Sequence, residues 1–159
     1  MDPKRLYLAV ENDHFEIVAS ATSASVNKKL KVGLIVSHPI QYQVPWFREL
    51  SKHVELTVYF ACQADSHVDE EFGFTVKWDT DLVSGYDHMF LKNISNLPSP
   101  DRFGGCDTPE IASIIKSGQF DAFIVSGWYL KSYLQAALAC YLGGVPLLVR
   151  GDSQLGSSN

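Results

Sequence analysis

Three short polar segments of this sequence follow predicted buried strands and contain side chains suited to binding and proton transfer. They are residues 37–42, 126–129 and 150–153. Ligands of open parallel sheets bind outside the carboxyl ends of the strands, so we expect all three segments to face one cleft. Histidine, hydroxyl, indole, guanidinium and carboxylate groups together can hold a polar or anionic ligand and move a proton. The candidate site residues are Ser37, His38, Tyr42, Gly127, Trp128, Arg150 and Asp152.

His38 is the candidate for proton transfer, because histidine titrates near neutral pH. It follows the first predicted strand almost directly, where it could act as a general acid or base or hydrogen-bond a ligand oxygen. The alternative is a histidine that only fixes the turn. The remaining histidines have no such placement and are expected at the surface or in packing roles; they are His14, His53, His67 and His88.

The second and third segments each allow two interpretations. Gly127 permits close backbone approach and Trp128 offers an aromatic face, a combination that suits a sugar ring. Trp128 could equally pack against the following helix. Arg150 and Asp152 could bind an anionic group and a hydroxyl respectively, or pair with each other across the turn.

Alternating strands and helices must position these segments. Buried β-branched runs predict strands, and apolar residues at helical spacing predict helices. The predicted strands are residues 31–37, 54–60, 87–91, 120–126 and 145–150, and the predicted helices are residues 44–52, 109–117 and 129–142, the second capped by Asp107 or Thr108. Strand–helix–strand crossovers build right-handed parallel sheets. The predicted fold class is therefore α/β, with an open, mainly parallel, doubly wound Rossmann-like sheet.

Two stretches fall outside this alternation. Residues 1–30 are mostly polar and lack core-forming periodicity, so we interpret them as an N-terminal extension of a domain formed by residues 31–159. Within the extension, the apolar pieces on either side of Asn12 and Asp13 form either a small hairpin or no ordered structure. Residues 61–86 are longer than most structureless connections and are expected to be functional or partly structured.

Charge and composition exclude several classes of protein. The 159 residues include 13 Lys and Arg against 18 Asp and Glu, a formal net charge of -5, so no nucleic-acid partner is expected. Apolar runs fall far short of the roughly 20 residues of a membrane span, which leaves at most peripheral membrane association. The glycine-rich nucleotide motifs, the zinc-protease motif and the nucleophile elbow are missing, and Cys and His spacing predicts no metal site.

The three cysteines are widely spaced and odd in number, which predicts reduced thiols in a cytoplasmic protein. Cys140 lies in an apolar helical pattern and Cys62 follows a strand, so both are expected to be buried as small apolar residues. Cys106 follows two glycines in a predicted loop and is expected to be exposed.

Four segments match, in order, the pattern of one group of enzymes. They are KVGLIVSHPIQYQVPWFREL (residues 31–50), WDTDLVSGY (78–86), FDAFIVSGW (120–128) and VRGDS (149–153). Together they resemble the N-terminal domain of bacterial glycosyltransferases of the GT-B architecture, close to family 4. The resemblance covers about residues 31–153, and the four segments together are more specific than any one of them.

The resemblance implies one half of a two-domain enzyme. In the GT-B architecture two Rossmann-like domains face each other across a cleft, the N-terminal one receiving the acceptor and the C-terminal one the donor. This sequence ends where the first domain ends, so we expect it to be inactive without a donor-binding domain or partner subunit. The implied donor is a UDP- or GDP-sugar, the implied acceptor a glycan or a lipid-linked sugar, and no metal or other cofactor is implied.

The resemblance also implies roles for the candidate residues. By resemblance, Ser37 and His38 lie near the donor phosphates or the reacting centre, and His38 is the catalytic residue. Tyr42 and Trp128 line the acceptor side. The residues implied at the edge of the cleft are Arg150 and Asp152.

The leading hypothesis is therefore the acceptor-side domain of a glycosyltransferase. The alternative is a non-catalytic glycan-binding or accessory subunit that pairs with a separate catalytic chain. A third interpretation is an inactive, truncated product. Turnover of a nucleotide-sugar by this chain alone would exclude both of these other interpretations.

Overall fold

The computed structural model describes residues 28–62 and 81–151, together with the backbone of two short strands, β1 (Ala9–Glu11) and β2 (His14–Glu16). These two strands pair antiparallel, with Glu11 opposite His14. Of the two interpretations of this part of the extension, the structure therefore shows the hairpin.

The main domain alternates strands and helices as the sequence predicts. Its strands are β3 (Lys31–Val36), β4 (Glu55–Phe60), β5 (Asp87–Phe90), β6 (Ala122–Val125) and β7 (Leu147–Val149). Its α-helices are α1 (Val44–His53), α2 (Glu110–Gly118) and α3 (Lys131–Gly143), and a 3-10 turn at Phe103–Gly105 precedes α2.

The five strands form one parallel sheet in the order β5-β4-β3-β6-β7. The central strand β3 is buried on both faces: Leu34 packs with Phe47 of α1 on one face, and Ile35 packs with residues of α2 and α3 on the other. Helices therefore cover both faces, which confirms the predicted doubly wound, Rossmann-like α/β fold. None of the helices in the described ranges is long and apolar enough to cross a membrane.

Arg48 of α1 hydrogen-bonds to residues 81–84, in the segment that precedes β5. Its Nε donates to the Ser84 carbonyl at 2.9 Å, and its Nη2 donates to the Asp81 carbonyl at 2.8 Å. Tyr86 packs edge-on against Phe47, with ring centroids 5.3 Å apart. Residues 81–86 of the second matching segment thus serve to pack α1, while residues 78–80 lie outside the described residues.

The α2 helix starts differently from the prediction, because neither expected side chain caps it. It begins at Glu110 without a side-chain cap bond. Thr108 Oγ1 instead donates to Ser132 Oγ at 2.9 Å, and Asp107 accepts from Lys131 Nζ at 2.6 Å. The cap prediction was wrong because both side chains bond to α3, which ties the loop before α2 to the first turn of α3.

Gly33 of β3 allows a close approach of β6, and we predict that Gly33→Ala destabilises the fold. A Cβ atom at Gly33 would lie 2.2 Å from Phe123 Cε2, and that fully buried ring is held against Tyr59 and Phe120. Overpacking of this kind costs about 1–3 kcal/mol of unfolding free energy. Urea denaturation measures it, with Gly104→Ala as the control, since a Cβ there meets nothing within 4 Å. Equal stability of the two variants would contradict the prediction.

Candidate functional site

The carboxyl ends of β3, β6 and β7 lie side by side at one edge of the sheet. Backbone pairing continues past the strands: the Ser126 N–H donates to the Ile35 carbonyl at 3.2 Å, and the Arg150 N–H donates to the Val125 carbonyl at 2.9 Å. Ser37 follows β3 directly. The three polar segments therefore begin at neighbouring points of this edge.

A small pocket, here called the strand-end pocket, opens between these strand ends and the beginnings of α1 and α3. Its volume is about 70 Å3, below the roughly 300 to 1,000 Å3 of sites that enclose a whole small molecule. It is therefore sized for one part of a larger ligand. The lining residues are Val36, Ser37, Ile40, Tyr42, Gln43, Ser126, Tyr129, Tyr133 and Arg150.

Two shielded polar atoms of the strand-end pocket have no hydrogen-bond partner in the part of the chain that the structure describes. They are Gln43 Oε1 and Ser126 Oγ. Gln43 as a whole is only 6% exposed. Nearly all buried polar groups are paired, because an unpaired one costs about 1–3 kcal/mol. Polar groups of a ligand can supply the partners that both atoms lack.

We predict that Gln43→Met and Ser126→Ala leave stability unchanged or raise it by up to about 1 kcal/mol, because each removes an unpaired buried acceptor. The matched control is Thr108→Val, which removes a buried hydroxyl that is bonded to Ser132 and should destabilise by about 1–3 kcal/mol. Urea denaturation compares the three variants. If Gln43→Met lowers the unfolding free energy as much as Thr108→Val does, Gln43 has a structural role.

Two tyrosines add hydroxyl groups to the strand-end pocket. Tyr129 precedes α3 and Tyr133 lies in its first turn, with ring centroids 5.7 Å apart and planes nearly perpendicular. Burial raises the pKa of both phenols above the ordinary value. Both side chains therefore stay protonated at neutral pH and can donate hydrogen bonds.

His38 adjoins the strand-end pocket through Ser37. Ser37 Oγ lies 3.0 Å from His38 Nδ1, and Ser37 is buried while His38 is half-buried. Ser37 lines the pocket, whereas His38 is not among the lining residues. The contact fixes the orientation of the imidazole, as a general base requires and as a turn-fixing histidine also would.

Arg150 lines the strand-end pocket from the end of β7. Its guanidinium carbon lies 5.0 Å from the centre of the Trp46 ring, a cation–π contact that orients the group. A guanidinium in this position can bind a phosphate or another anion with two parallel hydrogen bonds. Asp152 lies outside the described residues, so its pairing with Arg150 stays a prediction.

Two exposed aromatic rings occur near the same sheet edge. Tyr42 is 67% exposed and lines the strand-end pocket, and Trp128 is 62% exposed and follows Ser126 by two residues. Gly127, which lies between Ser126 and Trp128 in the chain, has φ +114°, a conformation that favours glycine. Gly127 and Trp128 do not line the pocket, but the indole is open to a ligand rather than packed into the core.

Sequence reasoning missed several lining residues that the structure adds. Tyr129 and Ser126 were visible in a strand-end segment but were not singled out, and the spacing of four between Tyr129 and Tyr133 was the available signal for Tyr133. Gln43 gave no signal, because its burial depends on how the chain enters α1.

The strand-end pocket is built from hydroxyl, amide and guanidinium groups. Within residues 28–62 and 81–151, no group of three or more His, Cys, Asp or Glu side chains is placed to bind a metal ion. The groups present match ligands that carry hydroxyls or phosphates.

Comparisons with protein-family models, curated proteins and solved structures found no match.

Proposed function

We propose that this chain is the acceptor-binding N-terminal domain of a glycosyltransferase that moves a sugar from a nucleotide-sugar donor to a glycan or lipid-linked acceptor. The observation that carries the proposal is the strand-end pocket, in which Gln43 Oε1 and Ser126 Oγ lack partners among the described residues. Sugar hydroxyls both donate and accept hydrogen bonds, so they suit such atoms. The four matching segments supply the class of reaction.

In this proposal the acceptor is held by stacking and by hydrogen bonds. The exposed rings of Tyr42 and Trp128 offer flat apolar faces to the C–H face of a sugar. Gln43 and Ser126 bond to hydroxyls of the sugar end that enters the strand-end pocket. Arg150 binds an anionic group of the acceptor or a phosphate of the donor.

His38 is the proposed catalytic base. It takes up the proton that the attacking acceptor hydroxyl loses during transfer, while the nucleotide leaves from the donor sugar. Ser37 Oγ, 3.0 Å from Nδ1, orients the imidazole for this task. The donor, a UDP- or GDP-sugar, is held by a donor-binding domain or partner subunit, because transfer requires both substrates in contact.

The second candidate is a non-catalytic glycan-binding or accessory subunit. The observation that favours it is the cluster of large exposed side chains near the strand ends, among them Trp128, Tyr129 and Val149, which could bind a partner chain. Both candidates bind glycans, and only the first needs His38 for turnover.

Binding of labelled protein to an array of glycans tests the function that both candidates share. We expect saturable binding to a subset of glycans, competed by the free glycan and weakened about thirtyfold in the double variant with Gln43→Met and Ser126→Ala, since each of the two lost hydrogen bonds is worth about 1 kcal/mol. Thr108→Val, at a residue that does not line the strand-end pocket, should bind glycans as the wild type does. Equal glycan binding by the wild type and the double variant would show that the strand-end pocket is not the glycan-binding site.

A further inference from the structure

Cys62 and Cys106 form a buried thiol pair on the face of the sheet that α2 and α3 cover. Their sulfur atoms lie 2.9 Å apart, although the residues are 44 positions apart in the sequence. Cys62 is 3% exposed and Cys106 is fully buried, so the expectation that Cys106 is exposed was wrong. The two thiols are held in contact by tertiary structure and not by a local motif.

Asn93 hydrogen-bonds both to Cys62 and to the backbone next to Cys106. Its Nδ2 donates to Cys62 Sγ at 3.2 Å and to the Gly105 carbonyl at 2.8 Å. Its Oδ1 accepts the N–H of Asp107 at 3.0 Å. One side chain therefore fixes the backbone on both sides of Cys106 and also contacts the sulfur of Cys62.

The two thiols are not equivalent. The hydrogen bond with Cys106 holds the pKa of Cys62 below the ordinary value, and the same contact, together with burial, raises the pKa of Cys106. The thiolate of the pair therefore forms on Cys62, and a thiolate is the form that attacks an oxidant.

We propose that Cys62 and Cys106 are a redox modification site, a dithiol that a peroxide converts into an intramolecular disulfide. Cys62 Sγ attacks one peroxide oxygen, the O–O bond breaks, and the products are a sulfenic acid and water. Cys106 Sγ then attacks the sulfur of Cys62, and the S–O bond breaks to release a second water as the S–S bond forms. Two thiols and one hydrogen peroxide thus give one disulfide and two waters. A peroxide is the oxidant because it is small enough to reach buried sulfurs.

The disulfide would join two elements beside the strand-end pocket. The Cys62 N–H donates to the Ser37 carbonyl at 2.7 Å, and the Cys106 carbonyl accepts the Ser132 N–H of α3 at 3.0 Å. Oxidation therefore links the end of β4 to the loop that holds the first turn of α3. Because it closes a long loop without a large movement of either sulfur, it should raise the melting temperature by about 5 °C or more.

The test treats the full chain with millimolar hydrogen peroxide and counts free thiols, measures the intact mass and maps the disulfide by peptide mass spectrometry. We expect the thiol count to fall from three to one, a loss of two hydrogen atoms, a Cys62–Cys106 crosslink, and full reversal by dithiothreitol. The Cys140→Ala variant should form the same crosslink, and Cys62→Ala should form none.

Oxidation in urea provides the decisive control, because it removes the tertiary contact but keeps the sequence. We expect the crosslink to form at least about ten times faster in the folded protein. A thiol count that stays at three, a crosslink through Cys140, a rate equal to that in urea, or a lower melting temperature after oxidation would each overturn the proposal.

Discussion

Replacing His38 with alanine should lower sugar-transfer turnover by at least about tenfold, since a positioned general base contributes about a hundredfold or more. His38 is held at the carboxyl end of β3 by the contact of its Nδ1 with Ser37 Oγ. The measurement is initial-rate kinetics of sugar transfer with this chain joined to, or mixed with, the proposed donor-binding domain. The loss should appear in kcat, because the strand-end pocket, the proposed acceptor site, is lined by other residues.

The matched control is His53→Ala. His53 is an exposed histidine at the end of α1, and its ring contacts Glu49 at 3.4 Å. Its removal should leave kcat and KM unchanged. If His38→Ala also keeps full kcat, His38 has no part in the transfer, and the interpretation as a turn-fixing residue gains support. If the chain transfers no sugar in the presence of the proposed donor-binding domain but binds glycans, the accessory subunit is the better account.

Replacing Arg150 with alanine should weaken binding of a phosphate-bearing ligand by about ten- to a hundredfold, because a hydrogen bond to a charged group contributes about 1.5–3 kcal/mol. The backbone bond from the Arg150 N–H to the Val125 carbonyl does not depend on the side chain, so β7 should stay paired. Calorimetric titration measures the loss. Arg150→Lys should give an intermediate affinity, because lysine keeps the charge but cannot form two parallel bonds.

Arg102→Ala is the control for Arg150, since Arg102 is an exposed arginine outside the strand-end pocket. Removal of the Arg102 side chain should change the affinity for the phosphate-bearing ligand by less than about twofold. If Arg150→Ala binds the ligand as tightly as Arg102→Ala does, the guanidinium serves only to pack against Trp46, and the anionic group must bind elsewhere.

The centre of the fold could be predicted from the sequence because the two strands β3 and β6 are continuous, mainly apolar runs. Residues 31–36 and 122–125 are buried on both faces of a parallel sheet, and such strands carry no alternating pattern that could be confused with a surface strand. The rule that ligands bind at the carboxyl ends of strands then placed Ser37 and Arg150 at one edge. The same rule could not supply Gln43, whose burial follows from the turn that leads into α1.

The sequence-based predictions for Cys106 and Thr108 were wrong because tertiary contacts determine the environment of both residues. Two glycines before Cys106 suggested an exposed loop, but Gly105 packs so closely on Ser99 that a Cβ there would lie 2.0 Å from its carbonyl oxygen. That approach brings Cys106 into the core. Similarly, Thr108 has the side chain of a helix cap but bonds to Ser132 of α3. Neither contact has a signature in the neighbouring sequence.

If the strand-end pocket binds the acceptor sugar as proposed, amide NMR during a titration with the sugar should locate it there. Labelled protein is titrated with the glycan that binds best on the array, and the shifted amides are assigned. We expect saturable shifts concentrated at residues 37–43, 126–133 and 150, and their loss in the double variant with Gln43→Met and Ser126→Ala. Saturable shifts confined to other parts of the domain, or unchanged shifts in that variant, would contradict it.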